Sequence, residues 1–129
     1  MNRASAYKKT QVMTNDRFGV LLMVYEGTAK ELRKARMCLS SGMQSPAELA
    51  ILKAQSALVE LDRTLNFEAD TELANSLHNL YLHMLLTLSD VLSNTDLAEL
   101  DRIIGLVDQL HETWSEAALL HRQNKQGVV

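Results

Sequence analysis

Cysteine, proline and aromatic residues are scarce in this sequence. Its 129 residues include one cysteine and one proline, and aromatic residues make up 5% of the chain. A single cysteine excludes a disulfide framework within the chain. Because sheet proteins are enriched in aromatic residues, their scarcity beside a hydrophobic content of 47% favours an all-helical globular protein. A chain of this length fits one domain, which we expect to span residues 1–129.

An excess of positive charge and a long apolar run are also missing. The chain has 13 basic and 16 acidic residues, a net charge of −3, so it lacks the electropositive surface that nucleic-acid binding requires. The longest apolar stretch, residues 18–25, is far shorter than the roughly 20 residues that span a bilayer. No apolar run follows the basic residue near the start, which predicts no secretory signal peptide. We therefore expect a cytoplasmic protein that is not embedded in a membrane.

The motifs of enzymes and metal sites are missing as well. A di-iron bundle needs Glu-x-x-His on two helices, and the nearest match, Asp108-x-x-His111, occurs once. His78 and His83 are five residues apart, about 140° around a helix, so they do not share a metal ion. The sequence has no glycine-rich phosphate loop and no nucleophile elbow. We expect no catalytic residues, no metal, no cofactor and no small-molecule substrate.

Turn-forming and capping residues divide the chain into a polar arm and four helices. Residues 1–13 show no apolar period and predict a mobile N-terminal arm. Ser45-Pro46-Ala47-Glu48 reads as a capping box with proline at the first helical position. The expected helices are 16–40, 46–66, 71–93 and 97–123, followed by a short C-terminal tail. Connections of a few residues favour antiparallel neighbours, so the pattern predicts an up-down four-helix bundle.

Helical periodicity separates a core from a set of leftover apolar residues. The predicted core faces are Ala54, Leu58, Leu61 and Leu65 on the second helix, Leu73, Leu77, Leu80, Tyr81, Met84, Leu88 and Val91 on the third, and Leu100, Ile103, Val107, Leu110, Trp114, Ala117 and His121 on the fourth. Leu82 and Leu86 point away from the core face of the third helix. Leu52 and Val59 likewise lie outside the core face of the second helix. The first helix is apolar nearly all round from Phe18 to Val24.

Two interpretations of the leftover residues stay open at this point. Single exposed leucines are normal on protein surfaces, and the N-terminal arm is able to cover the first helix. Alternatively, apolar stripes on two helices form a groove for an amphipathic segment of another protein.

Eight short runs in the sequence match one family pattern in order and spacing. They are Ala6-Tyr7, Val12-Met13-Thr14, Leu22-Met23-Val24-Tyr25-Glu26-Gly27, Lys53-Ala54, Glu60-Leu61 with Leu65, Glu72-Leu73-Ala74-Asn75 with Leu77, Leu80-Tyr81 with Met84, and Trp114-Ser115-Glu116-Ala117. With these runs, most of the chain resembles the flagellin-specific export chaperones of bacterial flagellar type III secretion, the FliS family.

The resemblance implies a four-helix chaperone without catalytic activity. Such a protein binds the C-terminal segment of new flagellin, prevents premature polymerisation and delivers the segment to the membrane export gate. In this family the N-terminal arm covers part of the flagellin-binding surface. The resemblance therefore implies that Tyr7 is a plug, which occupies the site in place of flagellin. Alternatively, Tyr7 is a clasp, which contacts the bound flagellin segment. The expected partner-binding residues are Tyr7, Val20, Met23, Val24, Leu52, Val59, Leu82 and Leu86. The alternative function is a helical-bundle interaction or scaffold module unrelated to flagella.

Overall fold

Four α-helices account for most of the described chain. The computed structural model describes the backbone of residues 17–127 and the side chains of residues 18–123. The helices are α1, Arg17–Ser40; α2, Gln44–Arg63; α3, Thr71–Asn94; and α4, Leu97–Gly127. No strand occurs among these residues, and the expected all-α class is confirmed. The arm predicted over residues 1–13, with Tyr7, lies outside the described residues.

The helices contact one another in a closed ring. α1 packs against α2 and α4, and α3 packs against the same two helices from the other side. Residues early in α1 meet residues late in α4, as Tyr25 meets Trp114, and residues late in α1 meet residues early in α4, as Arg36 meets Asp101. This order and the short connections give the antiparallel up-down bundle that the sequence predicts. No helix within residues 17–127 is both long enough and apolar enough to cross a membrane.

Local side-chain chemistry explains how the helices begin and end. Asp70 caps α3 by accepting a hydrogen bond from the Leu73 backbone N–H, 3.0 Å away. Asp96 accepts in the same way from Glu99 N–H at 3.1 Å, at the start of α4. α1 ends before Gly42, whose φ of 72° lies in the left-handed region that glycine adopts without strain.

The predicted capping box of α2 is wrong. The helix begins at Gln44 rather than Pro46, its N-cap is Met43, and no side chain caps it. Pro46 is then the third helical residue, where its missing N–H removes no intrahelical bond. α2 also ends at Arg63, three residues before the expected end. The Asn66 side chain instead accepts hydrogen bonds from two backbone N–H groups of the following loop.

The core runs along the middle of the bundle and thins at one end. Its largest buried side chains include Tyr25, Leu32, Leu58, Met84 and Leu100. The core faces predicted from periodicity are buried in the middle, but several members near one end are not. Leu73 and His121 are exposed, and Leu65, Leu80, Leu110, Trp114 and Ala117 are partly exposed. A residue on a core face is buried only where a neighbouring helix covers it, and this cover is incomplete at the end of the bundle where α3 begins.

Candidate functional site

A cavity of about 770 Å³ opens at the end of the bundle where α1 and α3 begin and α2 ends. We call it the end cavity. Most of its lining side chains are apolar: Val20, Leu21, Val24, Leu61, Leu65, Ala69, Leu73, Ala74, Leu77, Tyr81 and Trp114, with the polar residues Glu60, Thr64, Asn66 and Asp70. Val20 is 60% exposed and Leu73 is 47% exposed. A mainly apolar cavity of this size is typical of binding sites for apolar ligands or side chains.

Three aromatic side chains form a hydrogen-bonded chain beside the end cavity. Trp114 donates its indole Nε1–H to the Tyr25 hydroxyl oxygen at 3.2 Å, and the Tyr25 and Tyr81 hydroxyl oxygens lie 2.5 Å apart. Both tyrosines are buried. Burial raises the pKa of each phenol above its usual value of 10.0; for Tyr81 the hydrogen bond to Tyr25 raises it further. Both phenols therefore stay neutral at physiological pH.

Phe18 closes the α1–α4 side of the same region. Its ring centroid lies 6.0 Å from that of Trp114 and 5.5 Å from that of His121. These ring contacts fix the start of α1 against the late turns of α4. On the opposite side, the loop between α2 and α3 carries Phe67, whose ring meets His78 edge-on at 6.5 Å. Phe18 thus packs against the cavity residue Trp114, and Phe67 belongs to the loop that contributes Asn66 and Ala69 to the lining.

A second apolar surface lies on the outside of α2 and α3. At the seam between them, Gln55 donates its side-chain N–H groups to the Leu85 carbonyl at 3.1 Å and to Ser89 Oγ at 3.0 Å. Leu52 lies three residues before Gln55 and Val59 lies four residues after it, so both are neighbours of Gln55 on the surface of α2. Leu82 and Leu86 lie three residues before Leu85 and Ser89. We call this surface, Leu52, Val59, Leu82 and Leu86 around Gln55 and Ser89, the α2–α3 groove.

Exposure of the groove residues matches what helical periodicity predicts. Leu52, Val59, Leu82 and Leu86 are all exposed, and Leu86 is 61% exposed. They lie within about two turns of each other, because α2 and α3 run antiparallel with Gln55 opposite Leu85. Four exposed aliphatic side chains on adjoining helices give the amphipathic groove into which a partner helix is able to lay an apolar face.

An ionisable pair connects the two surfaces. Asp62 Oδ1 lies 2.7 Å from His78 Nδ1, across the last turn of α2 and the second turn of α3. Asp62 follows the groove residue Val59 by three positions and lies next to Leu61 of the end cavity. The pair therefore holds the two helices together at the point where one surface ends and the other begins.

The charges on the other side of the bundle follow a different pattern. Along the α1–α4 seam, Arg33 pairs with Asp108, Arg36 Nε lies 2.8 Å from Asp101 Oδ1, and His111 pairs with Glu26. The two arginine ion pairs are exposed and contribute little each. Among the residues that the structure describes, no three His, Cys, Asp or Glu side chains form a set that could hold a metal ion.

The structure distributes the predicted partner-binding residues over separate surfaces. Val20 and Val24 line the end cavity, and Leu52, Val59, Leu82 and Leu86 form the α2–α3 groove. Met23 is exposed on α1 but does not line the cavity. Tyr7 lies outside the described residues. Whether these side chains bind a partner remains a proposal.

Sequence reasoning missed most of the end cavity. Leu61, Leu65, Leu73, Leu77 and Trp114 line it, but their spacing assigned them to the core. The signal that points to the cavity is the stretch of α1 that is apolar nearly all round, because such a helix needs cover on more than one side.

Comparisons with known proteins agree on one family. The family model described as "Flagellar protein FliS" matches residues 1–121. A curated relative, the flagellar secretion chaperone FliS of Bacillus subtilis (strain 168), is 27% identical over 126 residues, which cover 98% of this chain and 93% of the relative. A solved structure described as a flagellar chaperone from bacteria has a TM-score of 0.75 at 19% identity, over 91% of this chain and 98% of that chain. The structural likeness establishes the fold.

Proposed function

The chain belongs to the FliS family of flagellar secretion chaperones, and from this membership we propose that it binds the C-terminal segment of flagellin in the cytoplasm. In this proposal it prevents premature polymerisation and delivers flagellin to the flagellar export gate. The family is one of chaperones rather than enzymes, and the proposed activity is binding without catalysis.

The α2–α3 groove is the observation that carries the proposal. Its four aliphatic side chains face solvent although they lie on a bundle that has a complete core in its middle. Folding of the monomer does not need them in these positions, since polar residues would serve equally well on an exposed face. An amphipathic helix of flagellin would bury its own apolar face against them, with apolar side chains recurring at three- and four-residue steps.

The end cavity extends the proposed binding surface. Val20 and Val24 of the expected site lie there, and Asp62 and His78 join it to the α2–α3 groove. A segment that crosses from the groove to the cavity would use both surfaces. Tyr7 remains in the proposal on the family resemblance alone, and Met23 remains as an exposed residue of the apolar stretch of α1.

The test is calorimetric titration of the full chain with two flagellin segments, C-terminal and N-terminal. We expect binding of the C-terminal segment only. At about 100 times the dissociation constant, that segment adds about 2.7 kcal/mol to the free energy of unfolding, which appears as a concentration-dependent rise in Tm. Equal binding of both segments, or of neither, would contradict the proposal.

A matched pair of variants tests whether the groove carries the binding. Leu82→Asp places a charge in the groove, whereas Ser76→Asp places the same charge at an exposed position of α3 that belongs neither to the groove nor to the lining of the end cavity. We expect loss of C-terminal segment binding for the first and unchanged binding for the second. A scaffold module unrelated to flagella would instead show self-association that Leu82→Asp abolishes, with no response to flagellin, as measured by sedimentation equilibrium.

A further inference from the structure

The charges of the chain are unevenly divided between its helices. Residues 44–94, which span α2, α3 and the loop between them, contain seven acidic and two basic residues, a net charge of −5. The rest of the chain has a net charge of +2, because the whole chain has −3. The α2–α3 groove and most of the end cavity lining belong to the negative part. A partner that covers this face therefore meets a negative surface.

Contacts within the bundle account for only some of these carboxylates. Glu60 pairs with Arg63, Asp62 pairs with His78, and Asp70 caps α3. The side chains of the other four acidic residues make no hydrogen bond or ion pair with any residue that the structure describes: Glu48, Glu68, Glu72 and Asp90. These four charges therefore do not hold the described part of the bundle together.

Two of the unpaired carboxylates lie beside the leucines of the α2–α3 groove. Glu48 is four residues before Leu52 on α2, and Asp90 is four residues after Leu86 on α3. Residues four apart are neighbours on a helix surface. Both carboxylates are exposed, and each continues the groove by about one turn beyond its leucine.

Hydrogen bonds between α2 and α3 place these two carboxylates at the same end of the groove. Gln44 donates its side-chain N–H to the Leu92 carbonyl at 3.4 Å, and Gln55 donates to the Leu85 carbonyl at 3.1 Å. One carboxylate lies between the two glutamines along α2, and the other lies between the two leucines along α3. Because the helices are antiparallel, both carboxylates extend the groove in the same direction.

No such excess of negative charge is present at the opposite end of the groove. Arg63 lies there, one turn after the last groove residue of α2, and Asp62 is paired with His78. Lys53 is the other basic residue of α2. It is five residues from Glu48, about 140° around the helix, so it does not lie beside this carboxylate. The negative charge that borders the groove is concentrated at one end.

This asymmetry restricts the occupant of the groove. The apolar middle requires a helix with an apolar face, and the two carboxylates attract positive charge. A second copy of the chain has a net charge of −3, so its approach is opposed overall. A basic segment of a different protein has the complementary charge, which speeds association and suppresses the reverse orientation.

We propose that the partner helix in the α2–α3 groove carries a lysine or arginine about one turn beyond its apolar face, and that this cation lies beside Glu48 and Asp90. The inference rests on the proposed function, because the helix belongs to the C-terminal segment of flagellin. The apolar side chains hold the helix in the groove, and the cation fixes its direction along the groove.

The experiment compares two double variants of the full chain that remove equal charge. The groove-end variant is Glu48→Gln with Asp90→Asn. The control variant is Glu112→Gln with Glu116→Gln, at exposed positions of α4 outside the groove and the cavity lining. Calorimetry with the flagellin C-terminal segment should show binding weakened about threefold to tenfold by the first and unchanged by the second. The difference should vanish at about 1 M salt, where the Debye length is about 3 Å.

A double-mutant cycle then identifies the cation. Each lysine and arginine of the segment is replaced by glutamine in turn. One replacement is expected to weaken binding to the unsubstituted chain about threefold to tenfold and to have little further effect on the groove-end variant. It should keep its full effect on the control variant. The place of this residue, before or after the apolar residues of the segment, gives the direction of the bound helix.

Several outcomes would overturn the inference while leaving the proposed function intact. One is binding of the intact segment with equal affinity by all three forms of the chain; another is the absence of any lysine or arginine that couples to the groove-end variant. Tighter binding by the groove-end variant would show that the chain's own residues 1–16, with Arg3, Lys8 and Lys9, compete for this end. A dimer that the groove-end variant abolishes would show a second copy there. Failure of the intact segment to bind the unsubstituted chain would instead contradict the proposed function.

Discussion

Leu82 and Met84 lie two residues apart on α3 and point in opposite directions. Leu82 is 46% exposed beside the α2–α3 groove, whereas Met84 is completely buried in the core. Two steps of 100° carry a side chain from one side of a helix to the other. The two residues therefore allow the proposed binding surface and the core to be tested separately on a single helix.

The same substitution at these two positions should have different effects. Met84→Asp is expected to unfold the bundle, because a buried unpaired carboxylate costs more than the few kcal/mol of an unpaired polar group. Leu82→Asp and Leu86→Asp are expected to keep the fold, since both side chains already face water. Circular dichroism measures the folding of all three. If the two groove variants also keep full affinity for flagellin, α3 makes no contribution to the binding surface.

The buried phenols predict a loss of stability in alkali. Tyr25 and Tyr81 have pKa values above 10.0 in the folded chain, and ordinary values when unfolded. Their contribution is therefore fully present below about pH 10 and is lost as the pH rises toward the folded pKa values. Phenolate absorbance for two of the three tyrosines should appear together with the loss of helical circular dichroism. Ionisation of all three tyrosines before unfolding would contradict the burial of this pair.

Glu99 and Arg102 predict an effect at the opposite end of the pH scale. The hydrogen bond from Arg102 lowers the pKa of the Glu99 carboxyl below its usual value of 4.5, and that of Arg102 is raised in return. The stabilisation from a lowered carboxyl pKa is present above the usual value and disappears as the pH falls through the folded value. In Arg102→Ala, the pKa of Glu99 should return to its usual value, measured by NMR titration of the carboxyl carbon. Arg63→Ala, distant on α2, is the control and should leave it unchanged.

Two turn residues with left-handed backbone predict stability changes of opposite sign. Gly42 has φ 72° and Thr95 has φ 50°. A β-branched residue is strained in this region, and glycine is not. Thr95→Gly should raise the free energy of unfolding by about 1 kcal/mol, the cost of left-handed backbone for a non-glycine residue. Gly42→Ala should lower it by a similar amount, although no atom obstructs a Cβ there. Chemical denaturation measures both; a destabilised Thr95→Gly would show that the Thr95 side chain is needed.

The middle of this bundle is readable from sequence because each helix carries its own 3.6-residue period. That period places Met84 inside and Leu82 outside before any tertiary contact is known, and Asp70 and Asp96 provide start signals that act locally. The α2–α3 groove follows in the same way, since an apolar residue outside the core face has nowhere else to point. What periodicity leaves undecided is whether anything binds there.

The end cavity is not readable in this way because it depends on where neighbouring helices stop. Leu73 and Leu77 have the same periodicity, yet Leu77 is covered and Leu73 is exposed. The difference comes from the overlap of helices that are distant in sequence. The predicted start of α2 is also wrong. The spacing of Ser45 and Glu48 permits a capping box, but the helix already begins at Gln44, so Ser45 lies inside the helix and does not cap it.

The placement of the only tryptophan makes the protein its own optical probe. Trp114 is the one tryptophan of the chain, and its indole lies in the lining of the end cavity, hydrogen-bonded to Tyr25. A tryptophan-free segment that enters the cavity displaces solvent from the indole and shifts its emission toward the blue. A segment confined to the α2–α3 groove leaves that spectrum unchanged. Fluorescence of the unlabelled chain therefore reports occupancy of the end cavity and does not respond to occupancy of the α2–α3 groove. Stopped-flow fluorescence is then able to measure when, during binding, a partner enters the cavity.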